Sequence, residues 1–431
     1  MADPIIPLVT GAWFMAIAWM FSVRGGSGLA PGAFIMGFWG LLMLGVGLLT
    51  PDYAVTGTGA VAIFLACLAM AIGSALVPIK KRTSYVPRWR NHPVESGNGH
   101  FLLSACVVGS LMGLAAMVVY TIEAGFSLSS LMSLRDVLTI AHYYSYSRYN
   151  IPGYREPGLA VFLTSFMYWA AFCGGARFAL GGTRMQRILS LTCFVPATGI
   201  TLLLTTRTDF LEVAVMWIAG YLALSAMLTG GRWRLLTRKR VSGAMMAAAA
   251  AVIMYVVGGM FRSGRVGVSH VAASLPNLFS AFLGSVPAFS AWIGRAWDAP
   301  VPLGLGSSTL AGPLGLLFSI KRAHFSPMIV GHGNINSAPT TVYTLFREVI
   351  YDYSLPGALI ILILFGFMGG LAWRGALSRR WLGVAILTAF YLVIMTSFVG
   401  SPFAYTTILV GWIMFAVTLF LERGLWKKRR I

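Results

Sequence analysis

Arg262 and Arg265, three residues apart in GGMFRSGRVG, place two guanidiniums where there is little side-chain bulk around them. Such a pair matches the oxygens of a diphosphate, which accept bidentate hydrogen bonds from the planar fork. Snorkelling toward lipid phosphates is the competing role. Arg207, in LLLTTRTDFLEV, sits where two apolar runs meet in a tight turn. It either presents a cation at the membrane rim or pins the turn through a local pair with Asp209. A third group lies in SIKRAHFSPMIVGHGNINSAPTTVYTLFREVIYDYSLPG. There Tyr343, Arg347 and Tyr351 recur at helical spacing, as do Thr344, Glu348 and Asp352, so a helix carries a cation edge beside a carboxylate edge. Carboxylates one turn apart favour a proton on one of them, and a neighbouring arginine opposes this. A poised acid or base and ordinary Arg–Glu pairing both fit. Arg322 adds a cation upstream, and His324 and His332 have side chains that titrate near neutrality. The sequence has no H-E-x-x-H, C-x-x-C, G-x-S-x-G or Walker-type Gly-Lys-Ser/Thr, so zinc proteolysis, serine hydrolysis and ATP hydrolysis lose support.

What positions these groups is set by composition. Charged residues make up only 10% of the 431, and mean hydropathy is +0.78, which leaves too little polar surface for a water-soluble fold. Apolar runs long enough to cross a hydrocarbon core of ~30 Å recur from Ile5 to Leu421. They predict an all-α polytopic membrane protein, a single membrane domain over 1–431 with about eleven transmembrane helices. The predicted spans are 5–23, 31–50, 55–79, 101–124, 158–180, 188–206, 210–229, 241–261, 355–376, 381–399 and 403–421. Of the 32 basic residues, 22 fall on one side of this map and mark it as cytoplasmic, with the N-terminus outside and the C-terminus inside. Only Glu95 and Glu422 among the twelve acids share that side, so the formal +20 is wholly a topology signal, dispersed over short loops and a tail. No nucleic acid is expected, and anionic-lipid contact by Lys427–Arg430 is the plainer role for that charge.

Two outer segments stand out, an outer loop over 125–157 and a large one over 262–354. The first has apolar residues at Leu128, Leu131, Leu134, Leu138 and Ala141 at helical spacing, as in an interfacial helix. Its Tyr143, Tyr144, Tyr146, Tyr149 and Tyr154 suit either sugar stacking or an aromatic belt at headgroup level. In the second, 271–294 is apolar but interrupted by Pro276 and Pro287, which suits a re-entrant or interfacial helix pair. Thr340 or Thr341 is positioned to cap a helix whose apolar face is Val342, Leu345, Phe346, Val349, Ile350 and Tyr353. Met1–Pro7 has no basic n-region, so the first span is expected to be retained. Cys67, Cys106, Cys173 and Cys193 all fall in predicted spans, as small apolar fillers. The pairs Gly109/Gly113 and Gly366/Gly370 have the spacing that lets helix backbones approach closely.

The run NINSAPTTVYTLFREVIYDYSLPGALIILILFGFMGGLAW resembles the corresponding region of Wzy-type O-antigen and oligosaccharide repeat-unit polymerases. TRTDFL is similar to that family's (S/T)R-(S/T) turn, and the last two spans with TSFVGSPF between them resemble its ending. The family more often has Gly soon after the Asp, where this chain has Ser354, Leu355 and Pro356 before Gly357. The resemblance implies a GT-C-like fold in the bacterial inner membrane and a periplasmic-face, metal-independent glycosyltransferase without cofactor. The enzyme would polymerise undecaprenyl-diphosphate-linked oligosaccharides, with membrane lipids and a chain-length regulator protein as further partners. Carried over by position, Arg207, Arg262, Arg265, Arg322, Arg347 and Tyr343 bind the diphosphate, and Asp352, Glu348 or His332 takes the acceptor's proton. O-antigen ligase is the alternative enzyme, and a lipid-linked oligosaccharide flippase or exporter the alternative from another class. Against export, ionisable groups gather at the outer edge of apolar spans, whereas transporters carry polar residues at mid-membrane.

Overall fold

The computed structural model describes residues 4–78, 99–152, 154–231, 253–261, 277–298, 303–318, 328–330, 338–340 and 344–428. Backbone polar groups in lipid must be satisfied within their own segment, which favours helices. Among the described residues, nine helical stretches are long and apolar enough to cross a membrane, with Arg184–Leu204 taken as one across its short break, and Trp381–Thr396 is a shorter apolar helix. The chain is a polytopic membrane protein. The nine correspond to expected spans and the short helix to 381–399, while 241–261 is described only from 253 onward.

In chain order the helices are α1 (Ile5–Gly25), α2 (Pro31–Leu49), α3 (Gly57–Ala75), α4 (His100–Glu123), α5 (Leu134–Asn150), α6 (Gly158–Ala179), α7 (Arg184–Leu189), α8 (Phe194–Leu204), α9 (Arg207–Thr229), α10 (Ser285–Asp298), α11 (Ala311–Phe318), α12 (Leu345–Leu377), α13 (Trp381–Thr396) and α14 (Thr406–Lys428). A short antiparallel pair, β1 (Met328–Val330) and β2 (Ala338–Thr340), sets Met328 opposite Thr340. Among the described residues the chain is otherwise helical, as expected, and this small pair removes Thr340 as a helix cap. Thr341 lies outside the described residues. The cap is Thr344, whose hydroxyl accepts the Arg347 N–H at 3.3 Å.

One compact unit draws on the described residues of 1–85, 226–233 and 276–406. Its helices close up on glycine: a Cβ on Gly73 would strike the Ile363 carbonyl, and one on Gly366 would strike that of Met70, so α3 and α12 touch backbone to backbone. Trp39 on α2 donates its indole N–H to Ser397 at 2.9 Å, and Tyr391 on α13 donates to the Leu29 carbonyl at 2.7 Å. The break in the 271–294 region falls at Leu283–Gly284, not at Pro287. Pro287 lies in the first turn of α10, where a missing N–H is tolerated. With 14 residues, α10 is about 21 Å long, short of a full crossing.

The expected span 355–376 is only the second half of α12, which begins ten residues earlier and runs for 33. The outer segment expected to extend to 354 therefore ends in helix. Ser354 interrupts α12 at φ 65, ψ 171, and the second half restarts with Pro356 in its first turn.

The other unit draws on the described residues of 86–225, 234–275 and 407–431. Gly109 on α4 meets the Phe166 carbonyl of α6, which bears out its packing role, and Gly175 on α6 meets the Trp217 carbonyl of α9. Phe172 stacks on Phe415 at 5.5 Å, and Trp169 donates to Thr418 of α14 at 2.9 Å. Glu422, also on α14, caps α4 by accepting the N–H groups of Gly99 (2.8 Å) and Phe101 (3.1 Å). All four cysteines are free and buried; Cys193 stands at the start of α8 and the other three lie in helices.

Candidate functional site

In the first unit, Arg347, Glu348 and Asp352 occupy the first two turns of α12, and all three side chains are buried. The Arg347 guanidinium carbon lies 5.2 Å from the centre of the Trp292 ring on α10, a cation–π contact. Glu348 Oε2 accepts the Ser401 N–H at 2.6 Å, and the Ser401 hydroxyl donates to the Thr309 carbonyl at 2.8 Å. Asp352 accepts from the Ser308 N–H (3.2 Å to either oxygen), the Thr309 N–H (2.8 Å) and the Thr309 hydroxyl (2.7 Å).

The backbone explains why these partners meet. Pro356 has no N–H for the Asp352 carbonyl, and at Ser354 the chain leaves the helix, so the carbonyls of Tyr351 and Asp352 lose their helical partners. The N–H groups of Gly304 and Leu305 take them, each at 3.1 Å. Asp352 returns the contact with its carboxylate, which caps the helical turns leading into α11. A Cβ on Gly304 would press on the Asp352 carboxylate and the Tyr351 ring, so glycine lets the loop lie close against α12. The arrangement is a reciprocal cap: loop N–H groups end the first half of α12, and Asp352 starts the next helix. A carboxylate engaged by three donors is a fixture, so Asp352 is better suited to positioning the loop than to exchanging a proton.

Of the other expected site residues, Arg262, Arg265, Arg322, His332 and Tyr343 lie outside the described residues, as does His324. Arg207 opens α9 in the second unit, and its side chain is likewise outside the description.

The second unit holds a constellation that the sequence did not single out. Arg148 on α5 pairs with Glu156 at 2.6 Å and donates to the Leu204 carbonyl at 3.2 Å. Tyr120 donates to the other Glu156 oxygen at 3.2 Å, and Tyr144 donates to the Tyr120 carbonyl at 2.5 Å. Tyr168 on α6 has its hydroxyl 2.8 Å from Glu212 Oε2 and 3.4 Å from Asp209 Oδ1, while the Thr206 hydroxyl donates to the other Asp209 oxygen. Between α8 and α9, Thr205 takes a left-handed conformation at φ 54.

The tyrosines of the outer loop thus separate. Tyr144 is core, and burial with the nearby Tyr154 and Tyr143 pushes its phenol above the ordinary value. Tyr143 and Tyr146 are exposed, whereas the side chain of Tyr149 lies outside the description. Leu128 and Leu134 of the expected apolar face are open on the outside of the protein, as lipid-facing residues of an interfacial helix are, while Ile140, Ala141, Tyr144 and Ser147 pack inward. A signal for this constellation existed, because Glu212 is an ionisable residue inside a predicted span.

Comparison of the chain with models of known protein families, with curated proteins and with solved structures finds no match to any of them.

Proposed function

We propose that the chain polymerises lipid-diphosphate-linked oligosaccharide repeat units at the periplasmic face of the bacterial inner membrane. The observation that carries this is Arg347: a guanidinium only 7% exposed, stacked on Trp292, in the segment whose sequence resembles the repeat-unit polymerases. A buried arginine in a membrane protein needs an anionic or aqueous reason to be there. In the proposed reaction the acceptor hydroxyl attacks the anomeric carbon of the donor glycan, a new C–O bond forms, and the bond to the carrier diphosphate breaks. Arginine donors stabilise charge developing on the departing diphosphate. Arg347 fills that role in the first unit; Arg207, Arg262, Arg265, Arg322 and Tyr343 are the further diphosphate donors that the resemblance implies. Asp352 holds the loop, so the acceptor's proton passes to Glu348 or His332.

Complementation of a polymerase-deficient strain tests this through the glycan ladder. Wild type restores long chains, and Arg347→Ala reduces them to single repeats at equal protein level. Long chains from Arg347→Ala, or no ladder from wild type, would sink the proposal. In a strain lacking this chain but keeping its own polymerase, long lipid-linked chains that never reach lipid A would indicate the ligase instead.

A further inference from the structure

We propose that Tyr168, Asp209 and Glu212 form a proton-binding site in the second unit, with the proton carried on Glu212. The argument begins from counting donors. Tyr168 has one O–H and stands within reach of two carboxylates, with the shorter distance, 2.8 Å, to Glu212. Asp209 is provided for as an anion: it accepts from Thr206, lies in the first turn of α9 where the helix dipole favours negative charge, and has Arg148 as a neighbouring cation. Glu212 is one turn deeper into an apolar helix, about 4.5 Å along the axis. Its charged neighbour is Asp209, a like charge, and no cation pairs with it among the described side chains. Two like charges one turn apart, bridged by a single donor, are relieved by one proton.

The titratable and charged groups around the pair are Tyr168 on α6, Tyr120 on α4, Glu156 ahead of α6, Arg148 on α5 and Arg207 opening α9. Arg148 is committed to Glu156 and the Leu204 carbonyl. A second observation gives the proton a way in. The hydroxyls of Ser147 and Thr205 are buried, 1% and 4% exposed, without a hydrogen-bond partner. Ser147 adjoins Arg148 in the chain, and Thr205 lies between Leu204, whose carbonyl Arg148 reaches, and Thr206, which donates to Asp209. Buried hydroxyls in this state are satisfied by ordered water, and such water is the carrier the proposal assigns to the proton. Binding adds one proton to a Glu212 carboxylate oxygen and removes one negative charge; no bond between heavy atoms changes.

Infrared difference spectroscopy of the full-length protein in lipid nanodiscs, between alkaline and acidic buffer, reads the site directly. Wild type should gain a carboxylic C=O band that shifts in D2O, and Glu212→Gln should lose it. Glutamine still accepts from Tyr168, and Tyr168→Phe provides a second arm should that variant fail to fold: it should move the band by removing its hydrogen bond. No carboxylic band in wild type, a band surviving Glu212→Gln, or a band unmoved in Tyr168→Phe would overturn the proposal. So would loss of the band on adding sodium chloride at fixed pH, which would make the cluster an alkali-cation site.

Discussion

The two units hold their carboxylates by different kinds of donor. In the first, Asp352 and Glu348 accept mainly from backbone N–H groups of Ser308, Thr309 and Ser401. In the second, Glu156, Asp209 and Glu212 accept from the side chains of Arg148, Tyr120, Thr206 and Tyr168. Backbone donors belong to a folded segment and leave only when it moves. Hydroxyls and guanidiniums rotate, so their partners can exchange protons and waters without refolding. Asp352 of the first unit is therefore held as a fixture, whereas the carboxylates of the second are held by side chains that can turn away.

The sharpest way to break that contrast is at Asp352. Asp352→Ala strands several buried donors and should cost on the order of 4 kcal/mol of stability, read as a large drop in the thermal midpoint of detergent-purified protein. Asp352→Asn keeps the shape and loses charge assistance, with a cost of about 2 kcal/mol. Loss of glycan polymer from a variant of unchanged stability would instead make Asp352 the base.

Arg347→Lys comes next. It keeps the charge but loses the planar face over Trp292, a contact worth about 1 kcal/mol. The expectation is a shortened glycan ladder with little change in thermal midpoint. A ladder of wild-type length would show that charge alone suffices there.

In the second unit the exchangeable contacts predict milder effects. Arg148 and Glu156 are 24% and 31% exposed, so after solvent screening Arg148→Ala should cost only about 1 kcal/mol. A midpoint shift as large as that of Asp352→Ala would erase the distinction between the units. The smallest effect concerns pH. The folded chain holds the Tyr144 proton more tightly than the unfolded chain does. Its stabilising contribution is therefore complete below about pH 10 and is lost as pH rises above that value. Tyr144→Phe should flatten this alkaline decline in a thermal-midpoint series, and a decline as steep as wild type's would clear Tyr144 of it.

The spans were legible because each carries its own signal, a run of apolar residues that only a bilayer solvates. The cluster of Arg347, Glu348 and Asp352 was legible as a helical pattern, for the same local reason. The role of Asp352 was not, since its partners Ser308 and Thr309 lie 44 and 43 residues away and are ordinary loop residues by type. The first half of α12 was legible as a capped helix, but its polar residues keep it out of the hydropathy run, so its merger with the following span was not legible. Thr344 displaced the expected cap because β2 had already claimed Thr340. In the second unit, Glu212 could have been noticed inside its span, but Tyr168 and Arg148 become its neighbourhood only through tertiary packing.

Pro356 has one more consequence. A helix normally closes its own ladder, and nothing in it invites a distant segment. By withholding a single N–H, this proline leaves the carbonyl of Asp352 open, and Leu305 answers it from far upstream in the chain. The proline thus works as an address written in one part of the sequence and read by another. Replacing it with alanine would let α12 compete for its own carbonyl, and the loop would lose its destination before it lost any side-chain contact.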